Sequence, residues 1–295
     1  MLLLNQQVRT HRHRSIGRVR AACSLADVPT VHTSTVALVP PEEVWPPLQA
    51  ARTELRDKGL FRWPPHINLL YPFVPPAHYA AAVEALSAAA ASTSPFDVTL
   101  DALGCFGGRS RGVLFCLPSS ARDLGLLREL QTALQAAVPH CDDQQRRGVF
   151  TPHATLAHFP SRVAAERARE TLATKWEPVS FSSVEAVHIL RRDGAGGQFE
   201  RAWTLPLGGT APRHFDPPLR FAAMPAVEDE WVRQARKDAY RPGTRGRGGR
   251  RRRPRRSPEE RAAIESRTPE EIAAIRAERA AKRERMQHDA ADAAL

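Results

Sequence analysis

Trp63-Pro64-Pro65-His66-Ile67-Asn68-Leu69-Leu70-Tyr71 is answered later in the chain by Phe150-Thr151-Pro152-His153-Ala154-Thr155-Leu156. Both stretches read Pro-His-x-[Asn/Thr]-Leu, and each opens a short apolar run of strand character behind a Pro that sets its start. On a strand, residues two apart share a face. His66 with Asn68, and His153 with Thr155, therefore each pair an imidazole with a small hydrogen-bonding side chain. Ile67 and Leu69, and Ala154 and Leu156, point the other way, into a core. Tyr71 shares the inward parity of Ile67 and Leu69, and Phe73 is expected in the core with it. Two such strands suit a site where one histidine removes a proton while the other supplies one.

Outward from the first motif, Thr33 to Val39 reads as a strand stopped by Pro40-Pro41. Glu42 to Lys58 is helical in pattern. Pro46-Pro47 are expected to move its real start toward Leu48, and Gly59 closes it. After the motif strand, Ala77 to Ala91 forms an Ala-rich helix. Phe96 to Leu100 alternates and continues through Leu103 to Phe106, and Gly107-Gly108 turns the chain into Gly112–Leu117 as a hairpin. The second half repeats the order. Leu124, Leu127, Leu130, Leu134 and Val138 fall at helical spacing. The second motif strand runs to Pro160, a helix spans Val163 to Trp176, and strands follow over Val179 to Leu190 and Phe199 to Leu207. Strand, helix, strand, strand thus occurs twice, with a histidine motif in each half, and a two-lobed α+β domain is the economical architecture.

With these residues in view, the chain resembles the 2H phosphoesterases, the superfamily of 2′-5′ RNA ligase-like proteins and 2′,3′-cyclic-nucleotide phosphodiesterases. The resemblance implies an α+β fold of two pseudo-symmetric lobes flanking a central cleft, over residues 31–209. It also implies metal-independent phosphodiester chemistry on a 2′,3′-cyclic phosphate or a 2′-5′-linked RNA or nucleotide end. His66 and His153 are then the catalytic pair, with Asn68 and Thr155 on the phosphate oxygens. One departure is plain: Asn68 stands where the family usually has Thr or Ser, and its amide can still donate to a phosphate oxygen. A non-catalytic nucleotide- or RNA-binding module using the same cleft is the alternative. Arg111, in the hairpin turn, is a further candidate for phosphate.

The remaining histidines carry weaker signals. Strand alternation turns His158, five residues after His153, to the opposite face. His188 is expected to pair across strands rather than line the cleft, and His78, His140 and His214 lie near loops. No carboxylate or cysteine stands at ligand spacing from either motif histidine, and the resemblance points to metal-free chemistry, so no metal is expected; no cofactor is expected either. Cys23, Cys105, Cys116 and Cys141 show no Cys-x-x-Cys pairing. Cys105 and Cys116 flank a Gly-rich turn, close enough in a hairpin to face each other, with reduced buried thiols the expectation.

The formal net charge of +11 over 295 residues resides mostly in the two ends. Residues 1–30 form an Arg-bearing leader with no acid before Asp27, the composition of an organellar transit peptide or of a plain basic start. Residues 210–256 read as a linker that is largely disordered, Pro-rich and able to dock in part on the domain over 210–230, then Arg/Gly-rich, ending in Arg250-Arg251-Arg252-Arg253-Pro254-Arg255-Arg256. In the charged tail, residues 257–295, Ser257-Pro258-Glu259-Glu260 and Thr268-Pro269-Glu270-Glu271 each resemble a helix start. Such a basic tail binds RNA non-specifically or serves as a nuclear address. The expected partner is an RNA or nucleotide substrate met by a monomer. No apolar run approaches the ~20 residues needed to span a bilayer, and no membrane partner is expected.

Overall fold

The computed structural model describes residues 25–240 apart from 145, 147 and 195. The leader up to residue 24, the Arg/Gly-rich run and the two capped helix starts lie outside the described residues. Strand β1 (Ser34–Leu38) leads to helix α1 (Trp45–Glu54) and motif strand β2 (Ile67–Leu70). Helix α2 (Tyr79–Ala91) and strands β3 (Phe96–Leu100), β4 (Ala102–Gly108) and β5 (Arg111–Leu117) follow. Then come α3 (Ala121–Ala137), the second motif strand β6 (Ala154–Phe159), α4 (Arg162–Ala173), β7 (Val179–Val184) and β8 (Ala186–Arg191). Strands β9 (Glu200–Pro206) and β10 (Arg213–Leu219) and helix α5 (Glu230–Tyr240) complete the order.

Eight strands form one sheet in the order β10-β9-β8-β1-β2-β6-β5-β4, and β3 pairs with β7 in a second, two-stranded sheet. The two motif strands are therefore neighbours, antiparallel, at the junction of two lobes. One lobe is β10-β9-β8-β1-β2 and the other β6-β5-β4, and Ile67 stands opposite Ala154 where they meet. Each lobe draws strands from both halves of the chain: β1 and β2 pair with late strands, and the early hairpin β4–β5 pairs with β6. Helices α2 and α3 pack on each other and against β9 and β2, and α4 crosses β4 and β5. The main core runs through Leu38, Ile67, Leu69, Leu114, Leu127 and Leu156, while a smaller cluster of Ala37, Trp45, Leu190, Phe199, Phe221 and Met224 takes Trp63 and Tyr71 against it.

Several boundaries differ from the sequence reading, each for a local reason. Pro46 and Pro47 sit inside the first turn of α1, where a missing N–H costs nothing, so the helix starts at Trp45 rather than near Leu48. It ends before Gly59, with Arg56 at a φ of 55°. The run from Phe96 to Phe106 is two strands in two sheets, divided at Asp101, whose carboxylate accepts from the Ser119 N–H and hydroxyl. The run from Val179 to Leu190 divides likewise beside Ser183, which takes a φ of 64°. Residues 210–230 are not linker throughout: β10 pairs with β9 despite Pro217 and Pro218, because an edge strand tolerates missing donors. The domain accordingly extends past residue 209, and Phe221, Met224 and Val232 are buried. It also begins earlier than residue 31, since Val28 is buried in the core.

In the β4–β5 hairpin, register sets Cys105 opposite Leu114 and Cys116 opposite Leu103, so the two cysteines do not face each other. Both are free thiols, and burial pushes Cys116 up to about 12.

Candidate active site

The pairing of Ile67 with Ala154 fixes the site. In an antiparallel ladder this register carries His66 opposite Thr155 and Asn68 opposite His153, all four on the face away from Ile67 and Ala154. The two histidines occupy diagonal corners of this square, where neighbouring residues lie about 7–8 Å apart and long side chains reach each other. The inward partners obey the alternation: Ile67 is 0% and Ala154 2% exposed.

Each imidazole is held in the same way. His66 Nδ1 lies 2.7 Å from the Pro64 carbonyl oxygen, and His153 Nδ1 lies 2.7 Å from that of Thr151. A carbonyl only accepts, so both Nδ1 atoms carry hydrogen, and the neutral rings present an Nε2 lone pair. The repeated Pro-His geometry thus selects one tautomer twice. At Nε2 the halves differ. The Asn68 amide nitrogen stands 2.9 Å from His66 Nε2 and donates to it, while the Thr35 hydroxyl donates to Asn68 Oδ1 at 2.7 Å.

Aromatic rings wall both sides. Trp63 stacks on His66 with centroids 4.5 Å apart, and Phe199 stacks behind Trp63 at 3.7 Å. Phe106 and Phe115 stack at 4.1 Å, and both rings contact His153 at 4.9 Å. Gly104, paired with Phe115, makes room for that ring, because a Cβ there would lie 2.5 Å from it. Burial pushes His66 down to about 3, helped by the positive charge of Arg52 and by His153 and resisted by the Pro64 hydrogen bond and by Asp57. Burial also lowers His153, against the Thr151 hydrogen bond. In the free protein, His66 is neutral at neutral pH.

Beneath the His66 loop lies a buried ion pair absent from the sequence reading. Arg52 Nε and Nη2 donate to Asp57 Oδ2 at 3.1 and 3.0 Å, and its Nη1 reaches the Trp63 carbonyl at 2.9 Å. Arg52 therefore anchors the backbone just before Pro64. His158 joins the network, its Nδ1 being 3.2 Å from Asp57 Oδ1. This corrects the expected orientation of His158. The β5–β6 register shifts between Leu114 and Phe115, which pair with Ala157 and Thr155, so β6 carries one extra residue. The bulge resets the alternation. His158 pairs with Val113 and returns to the face of Phe115 and Thr155.

Tyr71 is likewise not core with Ile67 and Leu69. A register shift between β1 and β2 intervenes, and its ring meets Trp63 edge-on at 5.5 Å, on the site side. Phe73 is fully buried, as expected. His188 pairs across strands with Thr204, to which its Nδ1 is hydrogen-bonded at 3.0 Å. Arg111 begins β5, exposed at the hairpin tip, with the parity of Phe115. It belongs to a cationic rim: Lys58 is lowered by burial first, then by Arg111, and also by Arg62, against the pull of Asp57. Surface cavities of about 330 Å³ beside Asp101, Arg169 and Trp176, and of about 540 Å³ beside Thr93 and Arg122, involve none of these residues. Among the described residues no cluster of three or more His, Cys, Asp or Glu is placed to hold a metal ion.

Burial by itself would raise the Asp57 carboxyl; the His158 bond, Arg52 and the Gly59 N–H outweigh it and hold it below its ordinary value. A depressed carboxyl stabilises the fold above its unfolded pKa, and this contribution is lost as pH falls through the folded pKa. Asp57→Asn leaves Arg52 buried without its counter-charge and is expected to cost about 3–5 kcal/mol at pH 7. Urea unfolding at pH 7 and at pH 3 measures it: the difference between variant and parent shrinks on acidification, and an equal difference at both would contradict the network.

No curated protein matches the sequence. Among solved structures, the chain is similar to a phosphoesterase at 21% identity and a TM-score of 0.38, covering 62% of this chain and 97% of that one. It is similar to E. coli LigT complexed with 3′-AMP at 18% identity and a TM-score of 0.40, with coverage of 62% and 97%. The phosphate complex of E. coli LigT stands at 18% identity and 0.38, with coverage of 63% and 98%. Residues 40–196, which contain both histidine motifs and more than half of the chain, match the 2′-5′ RNA ligase superfamily, and the chain belongs to that family.

Proposed function

We propose that the protein is a metal-independent phosphodiesterase acting where a phosphate joins a ribose 2′-oxygen, in a 2′,3′-cyclic phosphate or a 2′-5′-linked RNA or nucleotide end. The observation that carries this reading is the square of His66, Asn68, His153 and Thr155 on one face, with both Nδ1 atoms tied to carbonyls so that each ring turns its Nε2 lone pair away from them. For a cyclic phosphate, His66 Nε2 takes a proton from water as the water oxygen bonds to phosphorus. The bond from phosphorus to one ribose oxygen breaks, and His153, charged at Nε2, gives that oxygen its proton. The product is a ribose phosphomonoester. His66 suits the base role because burial keeps it neutral. The substrate's negative charge favours the protonated form of His153. Asn68 and Thr155 donate to the non-bridging oxygens, where charge accumulates at five-coordinate phosphorus. Lys58, Arg62 and Arg111 attract the anion, and the exposed ring of Phe106 offers a stacking face to a base.

One observation favours a second reading, a binding module: in the free protein the Asn68 amide occupies the lone pair that a base must use. The basic segment past Tyr240 would then supply RNA affinity through phosphate neutralisation.

The 295-residue chain in EDTA, given 2′,3′-cyclic nucleotides, is expected to yield a single phosphomonoester. His66→Ala and His153→Ala are each expected to lower kcat by about 10²–10⁴-fold. Activity persisting in either variant would refute two-histidine catalysis, and tight mononucleotide binding without turnover in the parent would favour the binding module. Truncation after Tyr240 is expected to leave cyclic-nucleotide turnover unchanged while flattening the salt dependence of RNA binding; an unaltered salt slope would remove the tail from RNA recognition.

A further inference from the structure

Thr35 is fully buried in β1, yet carries a hydroxyl. Its oxygen stands 2.7 Å from Asn68 Oδ1, 3.0 Å from the Leu70 carbonyl and 3.4 Å from that of Val36. A hydroxyl has one proton to give, and the shortest contact takes it. This decides which end of the Asn68 amide faces His66. With Oδ1 accepting from Thr35, the amide nitrogen is turned to His66 Nε2. The resulting chain is directional: Thr35 donates to Asn68, Asn68 donates to His66, and His66 Nδ1–H donates to Pro64.

We infer that Thr35 is a positioning residue for the base: it orients the Asn68 amide so that His66 rests in its neutral, Nδ1-protonated form with the Nε2 lone pair directed at a donor. When the reacting water reaches Nε2, it replaces that donor. The amide, still held at Oδ1, then has its N–H groups free for a phosphate oxygen. Asn68 is long enough to span from the β1 hydroxyl to the imidazole, whereas Thr or Ser at this position would meet His66 without help from β1. Thr35 thus accounts for how an Asn works where the family carries a hydroxyl. The inference rests on the proposed role of His66 as base. The other charged or titratable groups facing His66 are Arg52 of α1, Asp57 after it, and His153 before β6.

Without Thr35, the amide is free to turn its oxygen toward Nε2, where it accepts from a protonated ring and so stabilises the charged form. The test reads imidazole ¹⁵N shifts of His66 against pH in the full chain, without substrate, for the parent, Thr35→Val, Thr35→Ser, Asn68→Thr and the Thr35→Val/Asn68→Thr double variant. Thermal melts verify folding. The parent is expected in the Nδ1–H tautomer. Thr35→Val should raise the His66 proton affinity by about tenfold or more and, because the turned amide no longer offers its N–H groups to the phosphate oxygen, lower kcat on 2′,3′-cyclic nucleotide by about tenfold or more, with KM little changed. Thr35→Ser should restore both, and in the Asn68→Thr background Thr35→Val should add nothing. An unchanged His66 titration in Thr35→Val would overturn the inference. So would an equal change in both backgrounds, which would mean that Thr35 merely ties β1 to the Leu70 carbonyl. If the parent turned over no ribose phosphodiester, the proposed function would fall with the kinetic arm, while the ¹⁵N arm would still decide the role of Thr35.

Discussion

The pairing of β2 with β6 through Ile67 and Ala154 is the constraint on which the site depends. Those two residues fix the inward parity, and parity alone places four polar side chains together on the other face. A slip of one residue would turn a histidine into the core, where an unpaired imidazole is costly and an apolar residue would be left in water. The main core enforces the register by burying Ile67, Leu69 and Leu156 completely. The same strand pair joins the two lobes. Because the early β4–β5 hairpin pairs with β6, and the late β8 with β1, each half of the chain helps to hold the other's motif.

Around this square, charge and aromatic surface are divided with purpose. The histidines are kept neutral by burial, with Trp63 stacked on one and Phe106 and Phe115 against the other. The nearest full charges, Arg52 and Asp57, neutralise each other and hold the loop that carries Trp63 and His66. Further out, Lys58, Arg62 and Arg111 lie close enough for Lys58 to be lowered by both arginines, which makes this rim cationic. A bound phosphate would therefore bring the charge that shifts the imidazoles toward their protonated forms.

Much of this was legible in the sequence. Period-two alternation around each Pro-His motif placed the four candidate residues on one face and their inward partners on the other, and the family to which the chain belongs follows from the same motifs. What escaped was whatever broke periodicity. The bulge in β6 carried His158 back to the site face, and the irregularity between β1 and β2 did the same for Tyr71. Neither leaves a mark such as Gly or Pro at the point of insertion. The breaks at Asp101 and near Ser183, which send β3 and β7 into a sheet of their own, lie inside runs that read as continuous strand. Residues 213–219 read as linker because Pro217 and Pro218 argue against a strand, and only their edge position reconciles them with one. Thr35, Arg52 and Asp57 act through contacts between distant segments, to which spacing along the chain is blind.

The most direct test of the account is the pH dependence of kcat/KM for a 2′,3′-cyclic nucleotide, which reports the free enzyme's essential groups. A base must be unprotonated, so its limb falls on acidification; an acid must be protonated, so its limb falls as pH rises. With His66 at about 3 and His153 lowered below its ordinary value, no acid limb is expected above pH ~5, and an alkaline decline is expected to begin below pH ~6.5. A flat profile from pH ~5 to ~9, or one that rises through neutrality, would contradict a neutral His66 working with a charged His153.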